Sequence, residues 1–274
     1  MVVDRTYYSA HPFVNRTEAG FSFNEAAIKD MLLLLYEKKF TPVREIDRGV
    51  WSETWNVFNH AVDEGFGIRN YSDPDYEFYR QIRHNNAVFS AFRTHRLQND
   101  IAAQLLDGNG SLKPFEQILN DVQGIASHNV KQWLQTEYDT AVLRAHQAAD
   151  WVQFREVSDI LPNLRWLPTT SITPDAYHKR YWEAELTLPQ SHPFWTKHRP
   201  GDRWNCKCML EATDDPVHGA HVIDAADYQP DKGLDNNPGI DGKLFSDTHP
   251  YYEHAHQGAD EAVKEFIAGL EKKL

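Results

Sequence analysis

The chain has 274 residues, which is enough to bury a substantial core in one or two domains. Its 40 acidic residues against 28 basic ones give a formal net charge of −12, and this argues against a free-standing nucleic-acid-binding protein. Two cysteines exclude a disulfide framework and are typical of a reducing compartment. Residues 1–20 lack the pattern of a secretory signal, and the longest apolar run, 31–35, is too short for a membrane span. We therefore expect a soluble, acidic protein that is intracellular or bound to a particle.

The first two-thirds of the chain is predicted to be helical. After a poorly ordered arm over residues 1–20, apolar residues recur at helical spacing through a domain that covers 21–160. Asn24 is a suitable N-cap for the first helix. The predicted helices cover about residues 24–35, 42–64, 72–106, a short helix capped by Ser111, and 129–154.

The helix predicted over 129–154 carries a stripe of small apolar residues, which allows neighbouring helices to approach closely. It also carries two carboxylates, Glu137 and Asp139, which invite an acid–base interpretation. Residues two apart on a helix point in different directions. We therefore expect one of them to be structural and neither to be catalytic.

The helical periodicity is lost after Leu161-Pro162. Residues 161–214 are predicted to form a small α+β module, with a strand at 164–167, a capped helix at 173–182 and a closing strand at 205–210. Residues 215–274 are predicted to form an extended tail that ends in a short amphipathic helix. Within it, the stretch 214–260 offers little core, and His249, His254 and His256 are expected to lie in a solvated loop. The predicted fold class is mainly α with a small α+β module towards the C-terminus.

The module contains both cysteines of the chain, Cys206 and Cys208. In an extended segment, residues i and i+2 point to the same face, so both sulfurs are expected to look the same way. A disulfide between them would be strained. Two neighbouring thiolates suit zinc, which binds Cys and His in closed tetrahedral sites. The predicted metal ligands are Cys206, Cys208, His178 and His192, with Asp175 or His198 as substitutes. Two reduced cysteines packed as small apolar residues in a strand are the alternative.

The module also resembles a known protein family. Its Pro-rich, aromatic approach to a Cys-Lys-Cys sequence is similar to the conserved pattern of the phage Mu F-like minor head proteins, which are related to the minor head protein of phage SPP1. Arginine is commoner where Lys207 stands. The residues at matching positions are Thr169, Thr170, Asp175, His178, Trp195, Trp204, Cys206 and Cys208. The run Trp133-Leu134-Gln135-Thr136-Glu137-Tyr138-Asp139-Thr140-Ala141 and the later Asn237-Pro238-Gly239, Gly242-Lys243-Leu244-Phe245 and His249-Pro250-Tyr251 are similar to the same family.

The resemblance implies a minor capsid protein of a tailed phage or prophage. Such a protein would act in head morphogenesis at the portal vertex, with a part in DNA packaging or ejection, and would be assembled in the host cytoplasm into the virion. Its implied partners are the portal protein, other head proteins and packaged DNA, with no membrane and no small-molecule substrate. Zinc would be structural, and no enzymatic activity is expected.

Two other functions stay open. A metal cluster with an exposed coordination site would suit a metal-dependent hydrolase or nuclease, with Asp175 as a base. No phosphate-binding loop, nucleophile elbow or HExxH motif accompanies it. A toxin-carrier protein of a prophage-derived element is the other alternative, and the neighbouring genes would distinguish it from a head protein.

Overall fold

A computed structural model describes residues 20–169, 171–223 and 228–271. This part of the chain is mainly helical and has a small antiparallel sheet in its C-terminal half, which confirms the coarse fold prediction. The predicted arm, apart from Gly20, and the last three residues lie outside the described residues. The helices are α1 (Ala26–Tyr36), α2 (Arg48–Gly65), α3 (Tyr76–Ala102), α4 (Phe115–His128), α5 (Leu134–Glu156), α6 (Ala176–Glu183), α7 (Pro238–Asp241), α8 (Pro250–Glu253) and α9 (Ala259–Glu271). The strands are β1 (Asn163–Leu167), β2 (Thr187–Pro189) and β3 (Met209–Thr213). None of the helices in the described ranges is long and apolar enough to cross a membrane.

Two helix starts differ from the prediction because side chains cap the chain further along. Helix α2 begins at Arg48 rather than near Pro42, since the Asp47 carboxylate accepts the Val50 N–H at 2.8 Å. The short helix near Ser111 begins only at Phe115. Ser111 instead lies in a turn in which Asp107 Oδ1 accepts the N–H groups of Asn109 and Ser111, both at 2.9 Å.

Helices α4 and α5 are joined by a π-helical turn over Asn129–Trp133, which the sequence did not indicate. Arg93 on α3 is buried against this turn. Its Nη2 donates to the Asn129 carbonyl at 3.0 Å, and its Nε donates to Glu137 at 2.8 Å. Glu137 is therefore a structural residue, whereas Asp139 is exposed and accepts a hydrogen bond from Gln135. The prediction that the two carboxylates point in different directions is confirmed.

The first core lies among α1, α2, α3 and α5. Met31, Val50, Phe58, Ile82 and Leu134 are almost completely buried in it. Helices α2 and α5 approach closely at Gly65, where a Cβ atom would lie 2.3 Å from the Val142 carbonyl oxygen. The small residues predicted to permit close packing do so here.

The sheet has the order β2–β1–β3, and both pairings are antiparallel. Strand β2 was not predicted. Leu164 of β1 pairs with Leu188 of β2 and Ala212 of β3. A second, largely aromatic core packs on the sheet, and its most buried members include Trp166, Tyr181, Leu186, Trp195 and Leu210. The module thus has a hydrophobic centre of its own, although its strands are short.

The segment after the module is not a core-free tail, and that prediction is wrong for the described residues from 228 onwards. Leu234, Leu244, Phe245 and Tyr251 are buried in the helical core. Phe245 stacks on Phe89 with 4.4 Å between ring centroids. The segment contains few apolar residues, but nearly all of them are buried. Its composition therefore underestimated how much it contributes to the hydrophobic core. Helix α9 packs through Val263 and Ile267 against α2 and α3, as its amphipathic pattern predicted.

Helix α7 contacts Trp151 so closely that only glycine fits at position 239. A Cβ atom on Gly239 would lie 2.3 Å from the Trp151 Cβ. We expect Gly239→Ala to lower the free energy of unfolding by about 1–3 kcal/mol, because the added methyl overpacks the contact. Gly124 in α4 has no such neighbour within 4 Å, and Gly124→Ala should instead stabilise by about 0.5–1 kcal/mol. Urea unfolding of both variants tests this expectation. Equal changes in the free energy of unfolding for the two variants would contradict it.

His249 is also buried, contrary to the expectation of a solvated loop; His254 is exposed, as expected. Burial and the nearby Arg93 charge lower the His249 pKa to about 3, against about 6.5 in an unfolded chain. Below pH 6.5 the unfolded state therefore binds the proton more readily. The free energy of unfolding should fall between pH 6.5 and 3, by several kcal/mol at about 1.4 kcal/mol per pKa unit.

Urea unfolding at a series of pH values checks this expectation. His249→Phe should flatten the pH dependence relative to the native chain, since the titrating ring is gone. His254→Phe, at the exposed position, should leave the slope unchanged. If the free energy of unfolding falls with pH equally steeply in the native chain and in His249→Phe, the acid sensitivity comes from other groups.

Candidate metal centre

The N-terminus of α6 positions the first candidate ligand, His178. Asp175 caps this helix, its Oδ1 accepting the N–H groups of Tyr177 at 2.9 Å and His178 at 3.1 Å. The cap places His178 in the first helical turn, where its ring is buried beneath Trp166. Asp175 thus acts as a helix cap in the structure, whereas the sequence offered it as a substitute ligand or base.

The two cysteines lie in a loop before β3 and not in the strand, which begins only at Met209. The predicted closing strand at 205–210 is therefore wrong in its first half. Asn205 has a φ of 59°, in the left-handed region, and this turns the chain. The Cys208 N–H then points at the Cys206 sulfur at 3.4 Å. The sulfurs converge because of this turn. The prediction that they converge was based on residues i and i+2 of a strand pointing to the same face, and that reason was wrong.

Three of the four predicted ligands come together. The Nδ1 atom of His178 lies 3.4 Å from the Cys206 sulfur and 3.7 Å from the Cys208 sulfur. All three donor atoms lie within 4.8 Å of one another. Zinc with bonds of ~2.3 Å to sulfur and ~2.0 Å to nitrogen at tetrahedral angles would separate sulfur and nitrogen by about 3.5 Å. The two sulfur-to-nitrogen distances are thus close to what a tetrahedral ion requires.

Asp202 fixes the orientation of the His178 ring. His178 Nε2 lies 2.6 Å from Asp202 Oδ1, and the Tyr228 hydroxyl donates to the same carboxylate oxygen at 2.8 Å. Because Nε2 is occupied by the carboxylate, Nδ1 is left to face the sulfurs. Metal-binding histidines commonly donate their other ring N–H to a carboxylate in this way. No local pattern singled out Asp202 or Tyr228, since Asp202 is 24 residues and Tyr228 50 residues from His178 along the chain.

The protonation of these groups in the metal-free protein follows from their surroundings. Burial lowers the pKa of His178, but Asp202 and Cys206 outweigh burial and raise that pKa to about 10. Burial raises the pKa of the Cys206 thiol well above its ordinary value. A metal ion must therefore displace protons from both residues, so its binding should strengthen as the pH rises.

The other two histidines considered as ligands lie outside this group. His192 caps the short 3₁₀ helix Pro193–Thr196, and its Nδ1 accepts the Phe194 N–H at 3.2 Å. That ring nitrogen is therefore already used, and His192 does not join the group in the arrangement observed. His198 packs on Phe194, and its Nδ1 lies 3.7 Å from Asp202 Oδ2. Among the described residues, the group contains only His178, Cys206 and Cys208.

A cleft of about 1150 Å³ opens beside the three donors. One wall comes from α2 and α5, including Glu64, His146 and Asp150, and the other comes from the module, including Asp175 and Arg203. All three donors line it, and Cys206 is the one that is partly exposed. Arg203 is held in place by Asp231, at 2.7 Å, and lies over the Tyr228 ring.

Comparisons of the chain with protein-family models, with curated proteins and with solved structures found no match. The resemblance to the Mu F-like proteins therefore depends on the quoted residues alone. Of those residues, Thr170 lies outside the described part of the chain. Trp195 is buried in the aromatic core of the module, and Trp204 stacks on Phe245 of the following segment.

Proposed function

We propose that the chain is a minor head protein of a tailed phage or prophage, acting in head morphogenesis at the portal vertex and in DNA packaging or ejection. One observation supports this proposal best. Five of the eight residues that resemble the Mu F-like pattern have structural places within the module: a helix cap at Asp175, a three-donor group at His178, Cys206 and Cys208, and a buried Trp195. A motif made of such residues is expected of a protein selected for its shape and its contacts.

Zinc is the metal that we propose for the three-donor group. Two thiolates and one imidazole are ligands that zinc favours, and the sulfur-to-nitrogen distances of 3.4 and 3.7 Å suit it. Bound there, zinc would link the first turn of α6 to the loop before β3, and its role would be to stabilise the module. The Asp202 carboxylate supports the assignment, because it presents the correct ring nitrogen.

The proposed role involves no catalytic turnover. Glu137 is buried in an ion pair with Arg93, and Asp175 caps α6, so both carboxylates have structural tasks. Two observations favour the alternative of a metal-dependent hydrolase, namely the cleft beside the three donors and the lack of a fourth protein ligand among the described residues. Nuclease and protease assays with added zinc separate the two. Metal-dependent turnover that is lost in Asp175→Ala would favour the hydrolase.

The proposed partners are the portal protein and other head proteins, and the proposed location is the virion. The net charge of −12 favours binding to protein over binding to naked DNA. Mass spectrometry of purified particles tests the proposal, and the chain should be present in a fixed number of copies. A pull-down at moderate salt should retain the portal protein. Absence from the particles, or tight retention of duplex DNA without the portal, would contradict the proposal, and an immunity gene directly downstream would favour the toxin carrier.

A further inference from the structure

The three donors leave a tetrahedral ion one ligand short. Structural zinc sites have four protein ligands, whereas sites with three protein ligands keep the fourth position for water or another molecule. Among the described residues, no further histidine, cysteine or carboxylate joins His178, Cys206 and Cys208. His192, the predicted fourth ligand, lies outside this group, and its Nδ1 accepts the Phe194 N–H of the 3₁₀ helix that it caps.

The open position faces a space large enough for a ligand. His178 and Cys208 are almost completely buried, so protein surrounds the donors on the side of the aromatic core. All three donors also line the cleft of about 1150 Å³, and Cys206 is partly exposed there.

The charges around the position favour an uncharged ligand. A divalent ion with two thiolates and a neutral imidazole has no net charge. Across the whole cleft, the described lining residues include five carboxylates against three lysine or arginine side chains and His146, which contacts Asp150 at 3.1 Å. An anion would give the metal centre a net negative charge and would be repelled by the excess of carboxylates in the cleft. A neutral nitrogen or oxygen donor would leave the centre uncharged and would not be repelled.

We propose that the metal centre keeps one exchangeable coordination position, open to the cleft, which water occupies at rest and which a neutral nitrogen donor such as an imidazole takes in preference to an anion. This proposal rests on the metal assignment made above. It extends that assignment, because the centre then binds a ligand from outside as well as stabilising the module.

Cobalt(II) substitution tests the proposal on the full-length protein. Cobalt(II) takes the same ligands as zinc, and its visible absorption bands report its coordination. Imidazole should shift these bands in a saturable titration with one site, and thiocyanate should need at least tenfold higher concentration for a comparable shift. His192→Ala and His192→Phe, which likewise removes the imidazole, should leave the spectrum and both titrations unchanged, because His192 lies outside the three-donor group.

The outcomes are distinguishable. Bound cobalt whose spectrum responds to neither probe would show a closed site, which overturns the exchangeable position and leaves the metal assignment intact. A spectrum altered by His192→Ala would show that His192 is the fourth ligand, which also overturns the exchangeable position. Thiocyanate binding as tightly as imidazole would overturn the preference for a neutral ligand. Failure to bind cobalt or zinc at all would overturn the metal assignment and this proposal together.

Discussion

Replacing Cys206 by serine is expected to remove most of the zinc from the protein and to destabilise the module. The native chain should contain about one zinc per molecule by elemental analysis. Structural zinc contributes on the order of 10 kcal/mol in small peptides at neutral pH. The module has an aromatic core of its own around Trp166 and Trp195, so we expect the loop around the cysteines and the first turn of α6 to loosen first. Hydrogen exchange should then rise in the module while α2 and α5 stay protected.

A matched variant distinguishes a ligand from a histidine that only caps a helix. His192→Ala should retain the zinc, because His192 lies outside the three-donor group. His178→Ala should lose it, as Cys206→Ser does. If the two cysteines are instead reduced thiols without a metal, Cys206→Ser should cost only about 1–2 kcal/mol. A native protein purified without chelators that contains no zinc would exclude the metal assignment and would leave the head-protein proposal untouched.

The sequence predicted those parts of the fold that depend on neighbouring residues. Helical periodicity located α1, α2, α3 and α5, and the C-terminal amphipathic pattern located α9. It failed in two places for different reasons. Helix α4 starts late because of a local turn, in which Asp107 accepts the Ser111 N–H four residues further on. The π-helical turn at Asn129 receives a hydrogen bond from Arg93, 36 residues away, and such a distant contact leaves no local pattern.

The candidate site was predictable in its ligand types but not in its geometry. Two closely spaced cysteines and a histidine indicated a metal, and His178, Cys206 and Cys208 do converge. Which histidine joined them depended on the cap at Asp175, and the orientation of its ring depended on Asp202. Asp202 had no distinguishing sequence feature, because a buried carboxylate beside a histidine is recognisable only once the chain is folded.

The segment after the module was misjudged for a related reason, and Arg144 shows why. This arginine on α5 is completely buried without a carboxylate partner in the described structure. Its guanidinium donates to the carbonyls of Gly201 at 2.7 Å, Leu234 at 3.2 Å and Leu244 at 2.6 Å. It also donates to the carbonyl and the side chain of Asn236. One side chain therefore joins the helical core, the module and the following segment, and apolar composition gives no sign of it.

Arg144→Met is expected to be among the most destabilising single changes in the chain. Methionine fills much of the same volume, but it leaves several buried carbonyls without donors, each costing about 1–3 kcal/mol. We expect a total loss of roughly 3–5 kcal/mol, the range found when one partner of a buried charged contact is removed. Arg144→Lys should recover only part of it, because an ammonium group cannot serve carbonyls on three separate segments at once.

The measurement is urea unfolding, combined with hydrogen exchange over residues 228–253. Exchange in this segment should rise strongly in Arg144→Met, because its backbone loses the donor that fixes it to α5. Arg155→Met, at an exposed position near the end of the same helix, should change the free energy of unfolding by less than about 0.5 kcal/mol. If Arg144→Met leaves the segment protected, apolar contacts such as Phe245 on Phe89 are sufficient to hold it. If protection is lost while the aromatic core of the module stays intact, the guanidinium is what fastens the segment to the rest of the protein.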